Sequence, residues 1–304
     1  MKTTTQHSVE VVTITSPNGE NHASFVPNYG GIGSSLIMGG RELLYQHDFF
    51  WDPDTQRTRG GWPFLFPNCG RLSRDGETDL WLFRGVRYPL RSHGFGPKMP
   101  WTAEPGASEN ELRMVLTDTE TTRTMYPFAF RVEITYRIED DRFIAEPRFT
   151  NRSALENGAM PIYAGFHPYI ATPEPGAGKS EVTVDHSPLK RLGYNEALND
   201  LIGEAPCPVF PQPVTSPELR ELLTVVPSGN EVVMQFPDGI SLHCTTSEHY
   251  GYVQHYTMED KGFFCFEPWM SHPNSFNTAG ACAWIASGET LETRLELWTN
   301  GPMA

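Results

Sequence analysis

No stretch of the 304-residue sequence approaches the length of a membrane span, and its first twenty residues lack the apolar core of a signal peptide. A cytoplasmic chain is the expectation. Basic residues are few: 23 Lys and Arg against 37 Asp and Glu give a net charge of −14. So acidic a surface repels nucleic acid and anionic membrane, and neither is expected as a partner. No Cys-x-x-Cys pair occurs, and the five cysteines (Cys69, Cys207, Cys244, Cys265, Cys282) are an odd number at irregular spacing. That argues against a disulfide framework and a structural zinc site and leaves reduced thiols. Also missing are a Walker-type Gly-Lys-Ser/Thr, a His-Glu-x-x-His, and the Gly-x-Ser-x-Gly elbow of α/β-hydrolases. Residues 29–34 (YGGIGS) are rich in glycine, but Leu36 stands where a dinucleotide fingerprint needs its third glycine. Neither cofactor nor metal is expected.

Strand patterning is what the sequence does contain. Along 128–138 (FAFRVEITYRI), Phe128, Phe130, Val132, Ile134, Tyr136 and Ile138 alternate with polar residues. A period of two over eleven residues describes a strand with one buried face, which no helix produces. The same alternation runs through 111–117, 240–245 and 291–298, with turn signals such as Pro105-Gly106 and Pro237-Asp238-Gly239 between runs. The 27 Gly and 26 Pro suit such a chain. An all-β sandwich of many strands, forming one domain over 1–304, is predicted. One peripheral helix is predicted after Ser216-Pro217-Glu218, where an N-cap, a first-turn proline and an acidic residue precede Leu219, Leu222 and Leu223. Residues 171–180 and 204–217 read as long loops.

Four segments place polar groups in apolar surroundings. Residues 60–71 (GGWPFLFPNCGR) carry Asn68 and Arg71; 92–101 (SHGFGPKMPW) carry His93 beside a glycine that opens the ring to approach. Residues 161–169 (PIYAGFHPY) hold His167 between Phe166 and Pro168, and 263–269 (FFCFEPW) hold Glu267 among apolar neighbours. Taken alone, Arg71 reads as a surface ion-pair partner and His93 equally as a turn histidine. Glu267 is different: a carboxylate in that setting is desolvated, and desolvation raises its pKa toward that of a neutral-pH general base.

In order and wording these segments, with NYGGIGSSLIMGGRELLY near the start and SGETLETRLEL near the end, resemble the aldose 1-epimerase (galactose mutarotase) family over nearly the whole chain. The resemblance implies a β-supersandwich with a sugar cleft, Glu267 as general base, His167 as general acid, and Arg71, His93 and Asn68 as sugar contacts. It implies a small-molecule sugar as partner, and nothing in the sequence forces an oligomer, so a monomer is expected. Glu267 would take the proton of the anomeric hydroxyl while His167 protonates the ring oxygen, the two standing on opposite sides of the sugar. One departure concerns an Asp the family places between its His-Pro and Glu segments. Asp185-His186 is followed by Ser-Pro, Asp200 lacks the context, and Glu218 matches by position alone. Two alternatives stay open: a mutarotase for phosphorylated hexoses, using cations among Arg71, Arg74, Arg84, Arg87 and Arg91, and a non-catalytic sugar-binding or sensing protein.

Overall fold

The computed structural model describes residues 1–55, 57–195, 198, 201–278 and 282–300. Nearly every element in it is a strand. An N-terminal antiparallel meander joins Lys2–Gln6, Val9–Thr15, His22–Val26, Ile32–Met38 and Arg41–Glu42. A ten-stranded sheet follows, its centre formed by Glu111–Thr117, Phe130–Ile138, Arg142–Asn151, Leu295–Asn300 and Ser241–Thr246 in that order. Phe130–Ile138 alternates buried and half-buried residues along its whole length, as the sequence pattern dictates. The 291–298 run divides at Thr293 and Arg294, and both halves, Thr290–Glu292 and Leu295–Asn300, pair with Arg142–Asn151.

The third, eight-stranded sheet positions the site. Its order is Leu201–Ala205, Lys190–Tyr194, Leu222–Val225, Tyr252–Tyr256, Phe263–Trp269, Gly165–Phe166, Phe64–Leu65, with Tyr169–Ala171 also on Phe263–Trp269. One aromatic core takes side chains from all three sheets, among them Phe25, Phe64, Phe66, Phe149, Phe166 and Phe266. Burial of such large rings supplies most of the folding drive, about 1.5–3 kcal/mol for each apolar side chain removed from water.

The helix predicted after Ser216 does not form. Pro217–Leu219 makes a single 3-10 turn without a side-chain cap from Ser216, and Leu222–Val225 is instead a strand of the eight-stranded sheet. Pairing on both edges buries Leu222 and Leu223 fully, which outweighs the local helix signal. Among the described residues the one α-helical turn is Glu120–Arg123, closed by a Thr119/Thr122 capping box. Part of the 204–217 loop is also strand, since Gln212–Pro213 pairs with Thr183–Asp185. Among the described residues no helix is long and apolar enough to cross a membrane.

Candidate functional site

Both faces of the strand Phe263–Trp269 are covered, which explains its unbroken apolar run. Phe264 and Phe266 enter the main core, while Phe263 and Cys265 pack with Tyr169 in a small cluster on the other face. Glu267 follows on that second face, in register with Gln254 of the neighbouring strand. His167 comes from the bend between Gly165–Phe166 and Tyr169–Ala171, with its N–H donated to the Pro63 carbonyl at 3.0 Å. Its ring stacks on Tyr169 at 4.7 Å, and its Nε2 lies 3.4 Å from Glu267 Oε1.

The pair is 5% and 2% exposed, yet both residues line a cleft of about 730 Å³. Glu267 Oε2 and His167 Nδ1 are buried without a hydrogen-bond partner among the described residues. Burial pushes the Glu267 carboxyl well above the usual carboxylate range, with repulsion from Glu221 adding to it. Burial holds His167 well below the usual histidine value, and His93 contributes in the same direction. Both directions favour the uncharged forms of the two groups, which stand 3.4 Å apart.

Arg71 and His93 reach the same cleft. His93 lies edge-on to His167 at 5.4 Å, and burial, aided by the Arg71 charge, brings its pKa down to about 4. Its Nδ1 accepts the Gly70 N–H at 3.3 Å, so the neutral ring keeps its proton on Nε2 as a donor. Gly94, φ +69°, does more than leave the ring open: an added Cβ would meet the Phe66 carbonyl oxygen at 2.1 Å. Asn68 is the exception. It is fully buried and outside the cleft lining, and its Nδ2 donates to the carbonyls of Gly70 at 3.1 Å and Arg91 at 3.4 Å. Its amide joins the two loops that carry Arg71 and His93, a positioning role in place of the expected sugar contact.

Among the cleft residues that escape sequence reading are Glu221, Gln254 and Tyr194. Glu221 sits just before Leu222–Val225 in the left-handed region, φ +51°. It is open to solvent at the cleft mouth, yet surrounding protein raises its carboxyl, an effect that Arg71 opposes. Gln254 Nε2 donates to Glu221 Oε2 at 3.4 Å, and Gln254 Oε1 accepts the Tyr194 hydroxyl at 2.7 Å. Among the described residues, Glu221 is thus the acidic group that lines the cleft between the His-Pro and Glu segments. Glu218 lies in the 3-10 turn away from the lining, Asp185 is exposed on the ten-stranded sheet, and Asp200 falls outside the described residues. The period-two pattern of 252–256, with Tyr252, Gln254 and Tyr256 on one face, was the available signal for Gln254.

Two further expectations change. Glu267 and His167, expected on opposite sides of a sugar, stand side by side at 3.4 Å. Of the five arginines considered for a phosphate, only Arg71 and Arg91 line the cleft. Arg74 and Arg87 pair with Asp75 and Glu77, and Arg84 donates to the Glu156 carbonyl. One group among the described residues could take a metal ion, with donor atoms of His167, Cys265 and Glu267 within 4.8 Å of one another. Burial, with Glu267 nearby, pushes the Cys265 thiol well up.

The model of the family described as aldose 1-epimerase matches residues 10–298. Among solved structures, a galactose mutarotase-like protein from Clostridium acetobutylicum superposes with a TM-score of 0.83 at 18% identity, covering 99% of this chain and 98% of that one. A protein from Synechocystis gives 0.81 at 24% identity and 96% coverage of both chains. A galactose 1-epimerase from Lactobacillus acidophilus gives 0.75 at 11% identity, covering 99% of this chain and 98% of that one. At these identities the likeness establishes the fold, a galactose mutarotase-like β-supersandwich. No curated protein matches the chain by sequence.

Proposed function

The chain belongs to the aldose 1-epimerase family, and on that premise we propose that it is a mutarotase, interconverting the α and β anomers of an aldohexose by opening and reclosing the ring. The observation that carries this reading is the buried Glu267–His167 pair, 3.4 Å apart, with an unpartnered oxygen and nitrogen in a sugar-sized cleft. A bound sugar donates hydroxyls to the Glu267 carboxylate, which stabilises its ionised form and passes its proton to His167. Glu267 then takes the proton of the anomeric hydroxyl while His167 gives its proton to the ring oxygen. The bond from the anomeric carbon to the ring oxygen breaks, its electrons stay on that oxygen, and an aldehyde forms. Rotation about the adjacent carbon–carbon bond and the reverse transfers from the other face invert the anomer. No electrons leave the substrate, and the pair ends with the one proton it began with. Arg71 and the Nε2–H of His93 supply donors to the sugar oxygens beside it.

Anomer exchange in a panel of neutral aldoses, read by magnetisation transfer between the two anomeric protons, tests this directly. At least one sugar should exchange faster than in buffer. A protein that binds sugar without speeding exchange would be a sensing or storage protein.

A further inference from the structure

Antiparallel pairing sets three ligating side chains on one patch of the eight-stranded sheet. Gly165 pairs with Trp269 and Tyr169 with Cys265, and carrying that register inward places His167 opposite Glu267. Cys265 and Glu267 are two apart on one strand, so their side chains leave the same face. An imidazole nitrogen, a thiol sulfur and a carboxylate oxygen converge there, all within 4.8 Å of one another. The 3.4 Å between His167 Nε2 and Glu267 Oε1 already matches two ligands of a tetrahedral ion, which at bond lengths of about 2.0–2.3 Å stand roughly 3.3–3.8 Å apart. A shift of roughly 1 Å in the Cys265 sulfur brings it to the same spacing. Glu267 Oε2 is buried without a hydrogen-bond partner among the described residues. Glu267 and His167 both line the cleft, which gives an ion its path inward and an open fourth position. Cys265, fully buried against Tyr169 and Phe263, has no task in the proposed anomer exchange.

We infer that His167, Cys265 and Glu267 form an inhibitory site for a thiophilic divalent cation of the zinc type. Imidazole, thiolate and carboxylate together suit zinc, cadmium or cobalt, whereas magnesium and calcium call for shells built of oxygen. On binding, the protons of Cys265 and Glu267 pass to solvent. The ion takes the sulfur, a Glu267 oxygen and the Nε2 lone pair of neutral His167, and a cleft water fills the fourth position. Two of the three ligands are the acid and base of the proposed exchange, so the loaded protein can neither take nor give the sugar's protons, and ion and sugar exclude one another. That inhibitory consequence rests on the mutarotase reading; the ion site itself does not. His167 Nδ1 has no hydrogen-bond partner among the described residues, so nothing there braces the ring as a ligand, which suits a reversible inhibitor rather than a structural ion.

The experiment takes chelator-washed wild type, Cys265→Ala and Cys265→Ser, adds zinc, cobalt or magnesium chloride, and reads anomer exchange and the cobalt absorption spectrum separately. Neither substitution touches the acid–base pair, so both variants should exchange anomers at the wild-type rate without metal. Zinc should inhibit wild type in competition with sugar, and chelator should restore the rate. Half-inhibition of either variant should need about tenfold more zinc or above. Cobalt-loaded wild type should show a sulfur-to-cobalt charge-transfer band in the near ultraviolet that Cys265→Ala lacks. An active wild type that zinc does not inhibit, inhibition equal in wild type and variants, or magnesium inhibiting as well as zinc overturns the inference. If no sugar is turned over, the mutarotase reading fails while the cobalt spectrum still decides the site. A band present in wild type and lost in Cys265→Ala supports the site, and a wild-type complex without the band removes it.

Discussion

Glu221 and Asn68 separate two ways in which a residue serves this cleft. Glu221 acts on Glu267 through space, since its charge is the second cause of the raised Glu267 carboxyl. Replacing it by Gln removes that repulsion and lowers the Glu267 pKa. The limb of the kcat/KM profile on which the pair loses its proton should therefore move to lower pH, as a pH series on Glu221→Gln will read. Asn68 acts through backbone, and Asn68→Ala forfeits two hydrogen bonds between the loops of Arg71 and His93. About 1–2 kcal/mol of stability should be lost in urea unfolding, with KM rising. Glu267 was legible in the sequence because a lone carboxylate in Phe-Phe-Cys-Phe-Glu-Pro-Trp has few bland explanations. Glu221 was not. It stands next to Arg220 in a segment that reads locally as a helix, and only long-range pairing of Leu222–Val225 turns it toward the cleft.

At the level of elements, the strand Phe263–Trp269 is held from below by one buried cation. Lys179 Nζ donates to the carbonyls of Met258 at 2.7 Å and Lys261 at 2.5 Å and to Thr257 Oγ1 at 2.9 Å. This fixes the 257–261 turn that leads into the strand. Lys179→Met keeps the bulk but orphans those acceptors, so about 3 kcal/mol should be lost. The urea midpoint should fall at unchanged m-value. Period-two runs located the long strands because alternation is a local consequence of one buried face. The cations of the cleft wall stayed hidden, since Arg57, Arg59 and Lys98 arrive on irregular connections whose course depends on what they pack against. The four chemistry-bearing segments were visible as segments; which side chain of each meets the cleft depended on register.

For the whole molecule, acid stability should be set partly by a second buried histidine pair, which does not line the cleft. His186 Nε2 and His255 Nε2 are 3.2 Å apart against Phe210. Burial lowers both, His186 to about 4. In the unfolded chain each titrates near 6.5. The unfolded state therefore binds more protons below that pH, and the stability these groups contribute is full above pH 6.5 and lost as pH falls toward 4. His186 alone should cost about 2 kcal/mol between pH 7 and pH 5, and His186→Phe should flatten that slope in urea unfolding. The proposed function is narrower, since it depends on two neighbouring side chains, Glu267 and His167. The most direct test follows freshly dissolved α-anomer of the best substrate by polarimetry with wild type, Glu267→Gln and His167→Asn at equal concentration. Each substitution should lower kcat by about 10²–10⁴-fold while the sugar still binds. A Glu267→Gln protein that equilibrates the anomers as fast as wild type would contradict the account.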